Sequence, residues 1–422
     1  MNVILRLRRG IVLLGSLALA AAAAPAFAQQ ALSLDRAIGL AAERSPAATA
    51  RTLERESILE TAAVERAQPD PILRLGFENV PVDLGRDSMT MKTVGVSQEF
   101  VPGETRRARA AAAAARAGVA DAERESLLAD RRTEAARAWF DLRFDMRIHD
   151  YLLDLRREAA LDVDAARAAY RSLAGSQADV VEAEAALAAV DDRIAAHEGD
   201  IAIARARLAR WTGISGADVG GPFPNLDASP VPEAQAEAIA GRLPAVGVAD
   251  ARRRQAEAEL RSAESERRRR YTVEAWYGQR DRYADMVGVT VSIPLQVNRR
   301  NRQDRTIEAR SLGVAQADAE REESVRDQEL RLQQLLIGWR TGRERVARYS
   351  RTLAPLADSR VEAALAAYRG GTGTLAQVIA ARRGRFDVLL EALSVEAESA
   401  RAWAELYTLR WSAAPAGEER PQ

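Results

Sequence analysis

The sequence predicts a mainly α-helical chain with a small β part suited to face lipid. Its hydrophobic content of 47% is dominated by Ala, with 29% charged and 5% aromatic residues, a balance that suits long packed helices better than several globular cores. Four short segments alternate apolar with small or polar residues, the period of strands with one apolar face. The chain also repeats itself at an offset of about 198 residues, and such self-similarity outweighs any single motif.

Residues 1–28 come first. Arg6, Arg8 and Arg9 precede the apolar run from Gly10 to Ala24, which ends in Ala26-Phe27-Ala28. This pattern is a secretory signal with a cleavage site, short for a membrane span. The whole chain has 61 basic and 61 acidic groups, and losing those three arginines leaves 58 against 61, a net charge of −3. A near-neutral exported chain gives no electrostatic case for nucleic acid. No later segment approaches 18 consecutive apolar residues, so the destinations are periplasm, secretion, or the outer membrane as a β-barrel.

Residues 29–212 form a first repeat and 233–412 a second, separated by a Gly- and Pro-rich linker at 213–232 and followed by a tail, 413–422, that reads as disordered. Ala168-Ala169-Tyr170-Arg171 answers Ala366-Ala367-Tyr368-Arg369, Gly175 falls on Gly373, and the run from Ala120 to Glu125 recurs letter for letter from Ala317 to Glu322. Each half orders a helix of some thirty residues, a β-hairpin and a long helix pair. Leu332, Leu335, Trp339, Val346, Tyr349, Leu353 and Leu356, with Gly342 at the skipped position, keep the 3,4 spacing of a left-handed coiled coil; Trp139, Leu142, Met146, His149 and Leu153 do the same in the first half. A helix from about Glu104 to Leu173 extends about 100 Å at 1.5 Å per residue.

In the strands, Leu73, Leu75 and Phe77 oppose Arg74, Gly76 and Glu78, and Val287, Val289, Val291 and Ile293 oppose Gly288, Thr290 and Ser292. The segment Tyr271 to Arg280 adds Trp276 and Tyr277, expected with Phe100 in an interfacial aromatic girdle. Four strands close no barrel of useful bore, so several chains must pool theirs.

The inventory excludes much chemistry. There is no Cys, and His149 and His197 are the only histidines, which removes thiol nucleophiles, disulfides and Cys- or His-rich zinc sites. Lys92 is the only lysine. With no G-x-S-x-G either, an exported hydrolase fails. No enzyme activity and no cofactor are expected.

Leu32-Ser33-Leu34-Asp35-Arg36-Ala37 followed by Arg44-Ser45-Pro46, Val291-Ser292-Ile293-Pro294-Leu295 with Asn298-Arg299, and Tyr368-Arg369-Gly370-Gly371-Thr372-Gly373-Thr374-Leu375 resemble the opening, the fourth strand and exit, and the helix-turn-helix tip of the TolC-type outer-membrane efflux family. The resemblance covers essentially the whole mature chain. Pro69-Asp70-Pro71, Phe77-Glu78-Asn79-Val80-Pro81, Met89-Thr90-Met91 and Gly95-Val96-Ser97-Gln98-Glu99-Phe100 resemble its CzcC and CusC-like heavy-metal branch. The resemblance implies a homotrimer with a twelve-stranded β-barrel in the outer membrane, four strands per chain, over a coiled-coil α-helical barrel crossing the periplasm. It would be a passive duct for heavy-metal cations, served by a periplasmic adaptor and an inner-membrane pump of the resistance-nodulation-division (RND) type. A multidrug duct of the same family, and a soluble periplasmic coiled-coil adaptor, stay open beside it.

Within that frame Ala174, Gly175, Ser176, Gly371, Thr372, Gly373 and Thr374 would form the adaptor-contacting tip, with Gly175 and Gly373 supplying the positive φ of a tight turn; plain turns account for the same residues. Asp179 and Glu182 lie on one helical face just inside the first tip, and Gln377 holds the matching position in the second. A threefold repeat would make these an aperture with carboxylate rings; a solvated helix face is the alternative. A weaker gate pairs Arg382 or Arg385 with those acids. Met89, Met91 and Met286 offer soft sulfurs, but scattered thioethers more often pack than ligate. Each histidine lacks a carboxylate at clear ligand spacing, and the runs Arg252 to Arg254 and Arg267 to Arg270 read as solvated helix among acids.

Overall fold

The computed structural model describes residues 31–82 and 89–413. The expected signal segment and almost all of the tail lie outside them. In chain order the elements are α1 (Leu34–Glu43), α2 (Pro46–Arg66), β1 (Ile72–Glu78), β2 (Met91–Phe100), α3 (Gly103–Arg171), α4 (Gln177–Thr212), α5 (Ala236–Ala240), α6 (Pro244–Ser265), β3 (Tyr271–Arg280), β4 (Met286–Ser292), α7 (Gln303–Arg348), α8 (Ala354–Arg369) and α9 (Leu375–Ala413). The molecule is mainly helical with one small antiparallel sheet.

Each half opens on two helices, not the single helix of some thirty residues that periodicity suggests. Pro46 and Pro244 stand at the first turns of α2 and α6, and a residue preceding proline is driven out of the helical region. Ser45, at that break, turns it into a start by accepting from the Ala48 amide at 3.3 Å.

The second-half seam also departs from expectation. Between α7 and α8 runs a π-helical turn, Tyr349–Leu353, immediately before Pro355, which has no N–H to return to the Arg351 carbonyl. A single extra residue in a turn rotates everything beyond it by about 100°. Leu356, placed on the seam by its spacing, is therefore 62% exposed, and burial resumes at Val361. In α3 the same correction falls on Leu153, which is exposed while Leu152 is buried. That helix packs on α1, α2, α4, α6 and α9, so several faces are covered and no single seam describes it.

The main core lies near the middle of α3. Trp139, Phe140, Leu142 and Phe144 pack against Ile38 of α1, Leu208 of α4 and Trp403 and Ala404 of α9. The 213–232 segment is drawn into this core. Leu226 is buried there, Leu32 bridges Val219 in parallel, and three indole N–H groups hold neighbouring carbonyls: Trp139 to Leu32 at 2.7 Å, Trp339 to Leu226 at 2.9 Å and Trp403 to Ala228 at 2.9 Å. Towards the strands, α3 meets α2 and α6 through Ala112, Ala113, Ala117, Ala62 and Ala258, small side chains that let helices approach closely. Towards its other end, Val163, Ala166, Ala183, Leu375 and Val378 form a smaller core under the helix reversals.

The sheet has the order β1-β2-β3-β4, all antiparallel. Its central pair joins residues far apart in sequence, Phe100 opposite Tyr271 and Met91 opposite Arg280. Both outer strands, β1 and β4, keep one unpaired edge within the chain.

Candidate functional site: the helix reversals and the two sheet faces

The two reversals share one hydrogen-bond scaffold. In the first, the Ala169 carbonyl accepts from the amides of Ala174 at 2.9 Å and Gly175 at 3.1 Å; in the second, the Ala367 carbonyl accepts from Thr372 and Gly373, both at 3.0 Å. The left-handed residues are Leu173 (φ 60) and Gly371 (φ 73), which corrects the assignment of positive φ to Gly175 and Gly373. Those two glycines serve close approach. A Cβ on Gly175 would lie 3.0 Å from the Ala169 Cβ, and one on Gly373 would lie 3.0 Å from the Ala367 Cβ and 3.1 Å from its carbonyl carbon. The 198-residue offset sets Leu173 against Gly371, and that was the available signal for Leu173.

Capping chemistry explains the next residues. Ser176 donates to Asp179 Oδ2 from its amide and from its hydroxyl, both at 2.8 Å, while the Asp179 amide donates to Ser176 Oγ at 3.2 Å, a reciprocal capping box. The backbone bond from Ser176, then its hydroxyl, holds the Asp179 carboxyl below its ordinary range. In the second reversal Thr374 donates to Gln377 Oε1 at 3.0 Å and the Gln377 amide donates to Thr374 Oγ1 at 3.3 Å. Two of the three proposed aperture residues are thus engaged in capping. Glu182 instead borders a cavity of about 320 Å³ between α3, α4 and α9, with Asp162, Arg193, Arg382 and Phe386.

Arg382 and Arg385 do not pair with Asp179 or Glu182. Arg382 donates to Asp162 at 2.5 Å, and Arg385 reaches Asp358 at 2.7 Å and Glu158 at 3.4 Å, because the acids on α3 and α8 stand opposite α9. Burial pushes the Asp162 carboxyl up despite the attraction of Arg382. These cross-helix pairs leave no local trace in the sequence: Arg382–Asp162 and Arg385–Glu158 are each more than 200 residues apart, and Arg385–Asp358 spans the second reversal.

Both histidines do meet carboxylates: His149 Nε2 lies 3.9 Å from Glu198 and His197 Nδ1 lies 3.7 Å from Asp200. No group of three or more His, Cys, Asp or Glu among the described residues is arranged to hold a metal ion. Met91 is buried with its side chain over Gly278, whereas Met89 and Met286 are exposed, so the three sulfurs have different surroundings.

The sheet presents two contrasting faces. Register puts Leu73, Leu75, Phe77, Val94, Val96, Val287, Val289 and Val291 on one of them, and all are exposed, Phe77 at 70% and Val289 at 71%. The other carries Arg74, Thr93, Ser97, Glu274 and Thr290, with Arg74 and Glu274 paired at 2.9 Å. Trp276 belongs to this polar face and lies across Gly288. It therefore cannot share a lipid-facing girdle with Tyr277, because adjacent strand residues point to opposite sides. Phe100 and Tyr271, on the apolar face, stack at 5.2 Å.

The fold recurs in solved structures. CusC, solved in conformations that accompany folding and transmembrane channel formation, matches with a TM-score of 0.77 at 13% identity over 89% of this chain and 91% of its own. The chain has the fold of these outer-membrane channels. The Campylobacter jejuni CmeC outer membrane channel matches at 0.74 and 11% identity, over 92% of this chain and 87% of its own. The Vibrio cholerae outer membrane protein VceC matches at 0.71 and 16% identity, over 89% and 95%. No family model and no curated protein sequence matches the chain. At these identities the channel fold alone is shared. No helix among the described residues is long and apolar enough to cross a membrane.

Proposed function

We propose that the chain is one subunit of a homotrimeric duct in the outer membrane of a Gram-negative cell, passing heavy-metal cations outward from an inner-membrane RND-type pump through a periplasmic adaptor. The sheet carries this reading: its edges β1 and β4 are open and its apolar face is bare, so copies joined edge to edge would satisfy the backbone and give lipid an apolar outside and water a polar inside. Three copies supply twelve strands. The helices beyond the sheet would then form the periplasmic conduit, ending in Ala174 to Ser176 and Gly371 to Thr374 as the adaptor-contacting tip, with Asp179, Glu182 and Gln377 just inside it. Residues 29–212 and 233–412 would be duplicated units. A soluble adaptor would leave Leu75, Phe77 and Val289 in water, which counts against it.

The heavy-metal assignment is supported by the Pro-Asp-Pro and Asn-Val-Pro resemblances. A duct for organic compounds is the second reading, favoured by the packing of Met91 over Gly278, where its sulfur is buried. A deletion strain tested on copper, silver, zinc, cadmium and cobalt salts beside dyes and antibiotics, with restoration by the cloned gene, decides between them. Selective metal sensitivity is expected. Dye and antibiotic sensitivity alone would move the duct to organic substrates, and a mature chain that stays soluble and monomeric without detergent would overturn the duct itself.

A further inference from the structure

We propose that arginines at the sheet-to-helix junction form a collar that binds phospholipid phosphate groups at the membrane surface; this rests on the outer-membrane reading above. All four strands meet their helices at one end of the sheet, where Phe100 pairs with Tyr271, Ile72 with Ser97 and Thr272 with Ser292. Every crossing carries arginine. Arg66 closes α2, Arg106 and Arg107 sit near the start of α3, Arg267 to Arg270 connect α6 to β3, and Arg299, Arg300, Arg302 and Arg305 lie between β4 and the first turn of α7. The run Arg267 to Arg270, expected on a solvated helix, begins only after α6 has ended at Ser265.

Acids at this level are largely spoken for. Glu99 holds Arg270 at 3.5 Å, Glu104 holds Arg268, Glu266 holds Arg109 at 2.5 Å, and Asp304 holds Arg267 at 3.0 Å and Arg299 at 3.7 Å. Arg107, Arg269, Arg300, Arg302 and Arg305 have no ion pair among the described residues. Even with Glu65, Asp70 and Glu264 counted, arginine outnumbers acid here. The run Arg252 to Arg254 on α6 differs: Arg252 pairs with Glu123 at 3.1 Å and Arg253 with Asp318 at 2.6 Å.

Depth and shape point to a lipid rather than a free anion. The stacked Phe100 and Tyr271 lie on the apolar face at this same end, where aromatic belts mark the headgroup level, and the arginines begin just beyond them. A cavity of about 240 Å³ at the junction is lined by Arg109, Arg268, Arg270 and Arg302, against the single acid Glu266 that Arg109 already holds, together with Leu295 and Gln303. Leu295 and the adjoining Val297 are exposed, an apolar flank for acyl chain, while guanidinium forks match phosphate oxygens. Gln303 keeps a buried side-chain oxygen without a hydrogen-bond partner, an acceptor for a headgroup hydroxyl or ammonium.

The test titrates the purified full-length channel in detergent with dioctanoyl phosphatidylglycerol and dioctanoyl phosphatidylcholine, counting bound lipid by native mass spectrometry. The anionic lipid should bind at least about tenfold more tightly, a preference lost in R269Q/R300Q/R302Q/R305Q and reduced in R300Q/R302Q, whose changes lie outside the α-helices and strands, at the short 3-10 turn Arg299–Asn301, and guard against a folding artefact. Equal binding of the two lipids by the wild type, or unchanged preference in R300Q/R302Q, would overturn the collar. So would inorganic phosphate competing at the same concentration as the lipid, against chloride of equal ionic strength. Wild-type protein found in the outer-membrane fraction with no lipid preference sinks the collar alone, whereas protein found only in the soluble fraction sinks the membrane reading with it.

Discussion

The two helix reversals reach one backbone geometry with different residues. In the first, Leu173 holds a left-handed conformation with its side chain 94% exposed, and a carboxylate completes the cap; in the second, Gly371 and the neutral Gln377 do the same work. The carbonyls of Ala169 and Ala367, each receiving two amides, set the turn. Side chains around that scaffold are then free to diverge, leaving the first reversal strained and charged and the second relaxed and neutral. Chirality makes the left-handed region cost a β-carbon residue roughly 1–2 kcal/mol, and glycine nearly nothing.

Removing what the reversals share should have the largest effect. Gly175→Trp with Gly373→Trp drives side chains into Ala169 and Ala367, and should abolish export in a resistance assay while the assembly keeps its size in detergent; normal resistance would end the tip assignment. Next comes the conformational difference. Gly371→Leu should destabilise its reversal by about 1–2 kcal/mol, whereas Leu173→Gly should stabilise the first by up to about 1 kcal/mol. Local amide exchange reads both, and effects of the same sign would dissolve the contrast. Smaller again, Ser176→Ala and Thr374→Ala should each cost about 1 kcal/mol of local stability by removing a cap, visible as faster exchange at the Asp179 and Gln377 amides.

Least in size, and sharpest in distinguishing the two, is acid. The folded Asp179 carboxyl sits below its unfolded value, so its contribution is fully present above the ordinary carboxylate range near 3.8 and disappears as pH falls through the lowered folded value. Exchange at the first reversal should therefore rise below about pH 4 relative to the second, where Gln377 does not titrate. Asp179→Asn should erase the difference, and parallel profiles in the wild type would refute it.

The same contrast between shared frame and private side chain governs what could be read from sequence. Period-two alternation marked β1 and β4, and the near-repeat aligned the reversals, because backbone periodicity leaves a local signature. Trp276 was misplaced although the signal was present, since a residue adjacent to Tyr277 in a strand faces the other way. Leu356 was misplaced because a π-helical turn before Pro355 changes phase without altering the heptad spacing around it. Leu153 fell outside since α3 is covered on several sides. Arg382 with Asp162, and Arg385 with Asp358 and Glu158, depend on which helices become neighbours, a fact held by the tertiary arrangement alone. The sequence shows the charge of Asp179, while its contacts make it first a cap for α4.

One feature of α3 reaches furthest. Its 69 residues run from the strand junction to the first reversal without a break, so a single hydrogen-bonded rod of about 100 Å works as a ruler between sheet and reversal. Its reach is written in residue count. Two heptads added to α3 and matched in α4, α7 or α8, and α9 would lengthen that reach by about 21 Å with little rotation of the seam, whereas two residues would change it by about 3 Å and turn the buried alanines out of register.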